Sequence, residues 1–171
     1  MRRLGVPFIK MLENLSLRIG LEAVTVCRPM KGIKTFVSYY IYSDFKFTEF
    51  NDDGVDQLGH FIPSISEHHF TVILDAYSQS KWFARGEIEY GSAFFVNNEN
   101  TIKNDAYTQA SSRLGGKALW EYFGGLFFFG LKNIFDSKYQ ANTLINASSS
   151  RFFEPAPPLN AYGGMSLVYH Y

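Results

Sequence analysis

The sequence has little cysteine, no net charge and no long hydrophobic run. Its 171 residues include one cysteine, Cys27, which excludes an internal disulfide framework and any zinc site built on cysteines. Lys and Arg number 16, and Asp and Glu also number 16. This balance removes the electrostatic footprint of a nucleic-acid-binding protein. The longest stretch without a charged or strongly polar residue, 122–131, contains three glycines and is too short to cross a bilayer as a helix.

Aromatic residues, by contrast, are abundant. Phe occurs 17 times and Tyr 11 times, while charged residues make up only 19% of the chain. A hydrophobic content of 46% excludes a disordered chain, and a mean hydropathy of -0.11 excludes a helical membrane protein. Aromatic and glycine-rich composition at neutral hydropathy favours alternating β-strands over helices.

The first residues lack the features of a secretory signal. Met1, Arg2 and Arg3 resemble a basic start, but Pro7 and Lys10 interrupt the apolar stretch and no small-residue cleavage site follows. Residues 1–14 show no clear period and stay unassigned.

Most of the chain alternates between apolar and polar residues with a period of two, which indicates strands. In residues 82–96, Arg85, Glu87 and Glu89 share one face and Ile88 lies on the other. The pattern predicts about seven strands, in residues 16–28, 35–47, 70–77, 82–96, 107–117, 120–132 and 162–171.

The connections between these strands alternate between short and long. Tight turns are predicted at residues 28–32, 78–81 and 116–119, and long loops lie between them. This alternation predicts an antiparallel up-and-down meander, all-β in class, with every short turn at one end. Transmembrane β-barrels have this asymmetry, strands of roughly 9–11 residues and aromatic residues near the strand ends. The chain is therefore predicted to form part of a transmembrane barrel, with Ile88, Leu114 and Leu167 toward lipid and Glu87, Arg113 and Ser166 toward the lumen.

Several segments resemble TonB-dependent outer-membrane receptors. GLKNIFDSKY at 130–139 resembles the "G-x-x-N-L-F-D-x-x-Y" segment near the end of these receptors, and RFFEPAP at 151–157 resembles a segment of their last extracellular loop. The final residues, 162–171, are similar to their last strand. PMKG at 29–32 and residues 39–47 resemble a turn and a strand of ferric-siderophore members.

The resemblance implies a C-terminal barrel portion over residues 15–171, without the plug domain. Receptors of this type have roughly 22 strands, so this portion is not expected to be transport-competent alone. The implied location is the bacterial outer membrane, although this chain shows no signal peptide. The implied partners are a ferric siderophore, outer-membrane lipid, the barrel-assembly machinery, and the TonB system through the missing N-terminal parts. No nucleic acid, no cofactor, no metal and no enzymatic activity are expected.

The chemistry-bearing residues fall into three groups. Tyr139 and Arg151, on or near the last long loop, are candidate contacts for an anionic or catecholate siderophore. Arg85, Glu87, Glu89 and Arg113 are expected to face the lumen, as an ion-pair ladder or as plug contacts. The third group resembles the assembly signal of outer-membrane proteins and comprises Met165, Leu167, Tyr169 and Tyr171. His68 and His69 are adjacent on a strand, so their rings cannot share a metal.

Two alternatives remain open at this point. A complete small outer-membrane barrel would need roughly eight strands to close, the eighth from residues 1–14. A soluble lipocalin-like barrel would bind an apolar ligand inside, and the face bearing Arg85, Glu87 and Glu89 would then lie outside.

Overall fold

The computed structural model of the protein describes residues 16–52, 54–79, 81–119, 121–147 and 151–169. These residues are all-β. Their strands are β1 (Ser16–Met30), β2 (Ile33–Phe47), β3 (Asn51–Asp52), β4 (Val55–Asp56), β5 (His68–Tyr77), β6 (Trp82–Gly91), β7 (Phe94–Phe95), β8 (Lys103–Asn104), β9 (Tyr107–Leu119), β10 (Phe123–Lys132), β11 (Gln140–Thr143), β12 (Phe153–Pro155) and β13 (Asn160–Tyr169).

The long strands form one antiparallel sheet in the order β1-β2-β5-β6-β9-β10-β13. Neighbours in this sheet are also neighbours along the chain once the short strands are set aside, so the predicted meander is confirmed. The short strands pair as three hairpins, β3-β4, β7-β8 and β11-β12.

Short and long connections alternate as predicted. Only a few residues join β1 to β2, β5 to β6 and β9 to β10. The other connections are the first long loop (residues 48–67), the second long loop (92–106) and the third long loop (133–159), and each contains one of the short hairpins. All three long loops therefore lie at one end of the sheet.

The prediction for residues 82–96 was wrong at its end. Strand β6 stops at Gly91, and Val96 is fully buried inside the second long loop instead of lying on a strand face. The backbone turns there because the Asn97 side-chain oxygen accepts hydrogen bonds from the amides of Thr101 and Ile102, at 3.1 and 2.9 Å. The run Phe94, Phe95 and Val96 prolongs the apolar pattern beyond the strand.

The predicted turn at residues 116–119 was also wrong. Strand β9 continues to Leu119, and the turn follows it. The glycines that suggested a turn lie within the strand, where they make room for aromatic rings from neighbouring strands. A Cβ on Gly116 would lie 3.0 Å from ring atoms of both Phe127 and Trp82.

The sheet is a single layer and does not close within the described part of the chain. Strand β1 pairs only with β2, and β13 only with β10. The buried apolar side chains, Val96, Ala110 and Phe152, are few, and burial is concentrated in the loops. No helix in the described ranges is long and apolar enough to cross a membrane.

Candidate functional site

The strand pairing separates the sheet into two chemically different faces. One face, called here the apolar face, runs from the Leu21–Ile41 pair through Val72, Ile88 and Leu114 to the Phe123–Tyr169 pair. Away from the register shifts of the β1–β2 pair, beyond which Lys46 pairs with Leu17, none of the described positions on this face is Asp, Glu, Lys or Arg. Its side chains are open to the surroundings: Leu114 is 56% exposed and Leu167 67% exposed.

The other face, called here the polar face, carries the charges of the sheet. Glu87 pairs with Ser111 on it, and Ser166 lies there as the partner of Leu126. The predicted division between Ile88, Leu114 and Leu167 on one side and Glu87, Arg113 and Ser166 on the other matches the register. The charged residues of the polar face are Glu22, Lys34, Asp75, Arg85, Glu87, Glu89, Arg113, Lys117 and Lys132.

A cavity of about 700 Å³ opens on the polar face near the long loops. Its lining is rich in basic and hydroxyl-bearing side chains and combines strand residues with the third long loop. The lining consists of Arg85, Glu87, Gln109, Ser111, Ser112, Arg113, Lys132, Asn133, Tyr139, Pro157, Asn160 and Tyr162.

Glu89 organises the polar face next to this cavity. Its carboxylate accepts a hydrogen bond of 2.6 Å from the Tyr107 hydroxyl and one of 2.8 Å from the Gln109 amide. The His69 Nε2 atom lies 3.5 Å from the same carboxylate, and the His69 ring stacks on Tyr40 with centroids 5.0 Å apart. Glu89 is therefore held in place by neighbours on both adjacent strands.

Gly91 makes this arrangement possible. It pairs with Tyr107 across the β6–β9 ladder, and a Cβ on Gly91 would come within 2.7 Å of the Tyr107 ring. The absent side chain lets the ring lie across the neighbouring strand and brings its hydroxyl to Glu89.

Tyr139 extends the cluster from the third long loop. Its ring stacks on Tyr107 with centroids 4.9 Å apart and planes 13° from parallel. Burial raises the pKa of the Tyr139 hydroxyl above its ordinary value near 10, and the nearby Glu89 carboxylate raises it further. The phenol therefore stays protonated at neutral pH and lines the cavity as a neutral hydrogen-bonding group.

Asn133 fixes the loop that carries Tyr139. It is 2% exposed and donates from its side chain to the carbonyls of Ser137 and Pro157, at 2.9 and 3.0 Å. Its side-chain oxygen accepts from the Ser137 amide at 2.9 Å. Three hydrogen bonds from one buried side chain thus set the course of the third long loop over the cavity.

Arg85, Glu87 and Arg113 lie deeper on the polar face. Arg85 is 3.7 Å from Asp75 and 3.9 Å from Glu87, so of the four residues expected to form a ladder only Arg85 and Glu87 form an ion pair with each other among the described residues. Arg113 lies directly opposite Arg85 in the β6–β9 register and places its guanidinium 5.5 Å above the Phe128 ring. Two like charges in one cross-strand pair repel each other, and the Phe128 ring offsets part of that cost.

Arg151 and the assembly-signal residues lie elsewhere. Arg151 is exposed in the third long loop and is not among the described residues that line the cavity. Met165, Leu167 and Tyr169 are exposed on the apolar face, and Tyr171 lies outside the described residues, as do residues 1–14.

The sequence analysis missed the residues that complete the cluster: His69, Tyr107, Gln109, Lys132 and Tyr162. Tyr107 and Gln109 share the parity of Arg113 along β9, so extending that parity toward the loop would have found them. His68 lies on the opposite face from His69 and bonds to the Tyr39 hydroxyl at 2.9 Å. The described residues contain no group of three or more His, Cys, Asp or Glu placed to hold a metal ion.

The three long loops form one hydrogen-bonded cover at this end. The Asn98 side chain donates to Asp52 of the first loop at 2.7 Å, and the Asn98 amide donates to the Asn146 side chain of the third loop at 2.9 Å. His60 Nδ1 lies 3.0 Å from the Asn98 carbonyl. The second long loop therefore links the other two.

The fold matches solved siderophore receptors. The chain is similar to the ferric preacinetobactin receptor BauA from Acinetobacter baumannii, with a TM-score of 0.71 and 16% identity over 89% of this chain and 22% of BauA. The siderophore receptor PiuA from the same organism has a TM-score of 0.70 and 11% sequence identity, over 90% of this chain and 22% of PiuA. The ferric yersiniabactin uptake receptor FyuA from Yersinia pestis has a TM-score of 0.65 and 16% sequence identity, over 90% of this chain and 23% of FyuA.

These likenesses confirm at the level of fold the resemblance that the motifs indicated. The chain spans less than a quarter of the length of each of these receptors. No family model matches the sequence.

Proposed function

We propose that the chain forms part of the barrel wall of an outer-membrane receptor that takes up ferric siderophores. The observation that carries the proposal is the division of the sheet into a charge-free, exposed apolar face and a charged face with a cavity. A lipid-facing exterior and a polar lumen require this division, and the fold of siderophore receptors supports the same interpretation.

Within such a receptor, residues 15–171 would supply the C-terminal part of the wall. The plug and the remaining strands would come from other parts of the receptor. Energised uptake acts through those parts and the TonB system, so this portion would not transport a ligand by itself. No enzymatic role is proposed.

The two alternative barrels receive less support from the described residues. The described sheet does not close, whereas the sheet of a complete small barrel would have to close. A lipocalin-like barrel would turn its charged face outward, whereas Arg85 and Glu87 line a cavity and Ile88 and Leu114 are exposed.

We assign Tyr139 to ligand contact and Arg151 to the attraction of an anionic ligand. Tyr139 offers a neutral phenol beside Arg113 and Lys132 on the wall of the same cavity. Arg151 is exposed in the loop above and provides a guanidinium suited to carboxylate or catecholate oxygens.

The charged residues of the polar face would contact either one another or the plug; these are Arg85, Glu87, Glu89 and Arg113. Met165, Leu167, Tyr169 and Tyr171 would present the strand that the barrel-assembly machinery recognises.

Membrane location and ligand binding are tested separately. The chain, exported to the periplasm of a Gram-negative host behind a cleavable leader, should co-sediment with the outer membrane and resist extraction by alkaline carbonate. Release into the soluble fraction would contradict the wall assignment.

Refolded in micelles, the chain should bind an anionic ferric siderophore more tightly than its Tyr139→Phe and Arg151→Gln variants, with Lys103→Gln as the matched control. Equal binding by all four proteins would contradict the ligand assignment alone.

A further inference from the structure

The cavity on the polar face contains two cations that no carboxylate neutralises. Arg113 and Lys132 both line it, and among the residues that the structure describes neither forms an ion pair. The third cation of the lining, Arg85, is shared between Asp75 and Glu87, at 3.7 and 3.9 Å. The lining therefore carries an excess of positive charge, which an anion can offset.

The register places these two cations next to each other on adjacent strands. Arg113 of β9 pairs with Gly130 of β10, and Lys132 lies two residues further along β10 on the same face. Such diagonal neighbours are about 7–8 Å apart. Lys132 is the one nearer the long loops, because β10 ends there. One ligand with two or more acidic groups can therefore reach both side chains.

An aromatic ring supports each cation. The Arg113 guanidinium lies 5.5 Å above the centre of the Phe128 ring, and the Lys132 Nζ atom lies 5.6 Å from the centre of the Tyr162 ring. The Tyr162 ring in turn occupies the space that a Cβ on Gly130 would need. A ring attracts a cation without neutralising its charge, so both positive charges stay available to a ligand.

The rest of the lining offers hydrogen-bonding groups in place of apolar surface. Every residue of the lining except Pro157 has a polar atom in its side chain. Gln109 and Ser111 lie on the same face of β9 as Arg113, and Tyr139 adds its neutral phenol from the third long loop. A ligand that directs oxygen atoms outward matches such a lining, whereas an apolar ligand surface would leave these polar groups without partners.

Carboxylate and catecholate chelates of iron present different outer surfaces. A carboxylate can bind the metal through one oxygen and direct the other outward, where it accepts hydrogen bonds. A catecholate uses both oxygens on the metal and turns its aromatic ring outward. The rings of the cavity are already engaged, since Tyr139 stacks on Tyr107. Tyr162 likewise contacts Lys132. The cavity therefore suits the carboxylate surface better.

We propose that Arg113 and Lys132 select a ferric chelate built on carboxylates over one built on catecholates, an inference that rests on the proposed function. The Arg113 guanidinium would bind the outward oxygens of the chelate through its paired N–H groups. Lys132 would bind a second acidic group closer to the long loops. For Arg113, this ligand takes the place of a contact with the plug.

Two matched metal complexes test this proposal. The full 171-residue chain is refolded in micelles and titrated by calorimetry, without oxygen, with the chromium(III) complexes of three oxalates and of three catecholates. These complexes exchange their ligands slowly, carry the same negative charge and stand in for the ferric ones. We expect the oxalate complex to bind more than about tenfold more tightly, because its outward oxygens accept hydrogen bonds from charged groups.

Arg113→Gln should lower the affinity for the oxalate complex about tenfold and the affinity for the catecholate complex less, so that the preference falls. Lys132→Gln changes an exposed side chain and should act in the same direction, so it tests the site alone if Arg113→Gln does not refold. The control is Lys117→Gln, which removes the same charge from the same face of β9 outside the cavity lining. It should keep both the affinity and the preference.

The outcomes separate this proposal from the proposed function. Equal or tighter binding of the catecholate complex overturns the carboxylate preference alone and leaves a ferric-siderophore receptor standing. Unchanged binding by Arg113→Gln and Lys132→Gln also overturns the proposal, as does an equal loss in Lys117→Gln, which would indicate general electrostatics. A chain that sediments with the outer membrane but binds neither complex overturns the site and keeps the wall assignment. A chain that does not reach the outer membrane overturns the proposed function as well.

Discussion

At the scale of single residues, the two faces of β6 differ most sharply at Glu87 and Ile88. These neighbours share a strand and a depth in the sheet, and they point to opposite sides. Glu87 lies near Arg85 beside a cavity, while Ile88 is exposed on the charge-free face. The pair therefore provides a matched test of which face meets lipid.

Under the proposed function, Ile88→Lys should impair insertion into the outer membrane far more than Glu87→Lys. A lysine facing lipid near the midplane costs about 2–4 kcal/mol, whereas a lumen-facing lysine stays in water. The measurement is the yield of heat-modifiable barrel in the outer-membrane fraction when the chain is expressed within the proposed full-length receptor. Equal yields for the two variants would refute the assignment of the faces.

Tyr107→Phe should destabilise the folded protein by about 1 kcal/mol, because it removes the hydrogen bond from the phenol to the Glu89 carboxylate. Urea unfolding in detergent micelles measures the change. Tyr162→Phe is the matched control, since in the described part of the chain the Tyr162 hydroxyl has no hydrogen-bond partner. An equal loss in both variants would mean that the Glu89 hydrogen bond adds no stability.

At the scale of elements, the strands were predictable and the loops were not. Apolar and polar residues alternate along β5, β9 and β13 because one face of the sheet is apolar. This alternation can be recognised from neighbouring residues in the sequence alone. The loop contacts join residues far apart in sequence, such as Asn98 with Asp52 and Asn146. No period or turn motif encodes such pairs, so the cover over the cavity could not be predicted.

The errors at the ends of β6 and β9 have the same origin. Gly116 resembles a turn residue in sequence, but it lies within a strand because the rings of Trp82 and Phe127 occupy the space of its side chain. Val96 continues an apolar alternation, but its burial comes from loop packing. In both places a tertiary contact overrides the local signal, as it does at Gly91, where the missing side chain admits Tyr107.

Asn100→Gly should loosen the contact between the first and second long loops. The Asn100 side chain accepts from the Phe61 amide at 2.6 Å and donates to the Phe61 carbonyl at 2.8 Å. Its φ of 54° is one that glycine adopts freely, so the change removes the bonds without backbone strain. Hydrogen exchange at the Phe61 amide should accelerate about tenfold, equal to about 1.4 kcal/mol. The control is Asn142→Ala, which removes an exposed hydrogen bond within the third long loop and should leave the exchange rate of the Phe61 amide unchanged. If Asn100→Gly also left that rate unchanged, the Asn100 hydrogen bonds would not be what holds the first and second long loops together.

At the scale of the whole molecule, the single-layer sheet lacks the features that keep a protein soluble. Among the described residues few apolar side chains are buried, and many of the exposed ones lie side by side on the apolar face, among them Leu74, Leu114, Phe129, Met165 and Leu167. Soluble monomers tolerate a contiguous apolar patch of only a few hundred Å². Under the proposed function, lipid or detergent would cover this face.

The chain should therefore not fold as a monomer in water. Strands β1 and β13 each leave one edge unpaired in the described sheet, and a free edge of N–H and C=O groups invites pairing with another chain. In lipid these groups cannot stay unpaired at all, so the edges drive association there as well. Size-exclusion chromatography of residues 1–171 without detergent should show aggregates or an oligomer, and micelles should restore a defined species. A sharp monomer peak in water with cooperative thermal unfolding would contradict the barrel-wall assignment and favour a soluble barrel, because only a closed sheet removes both edges and covers the apolar face.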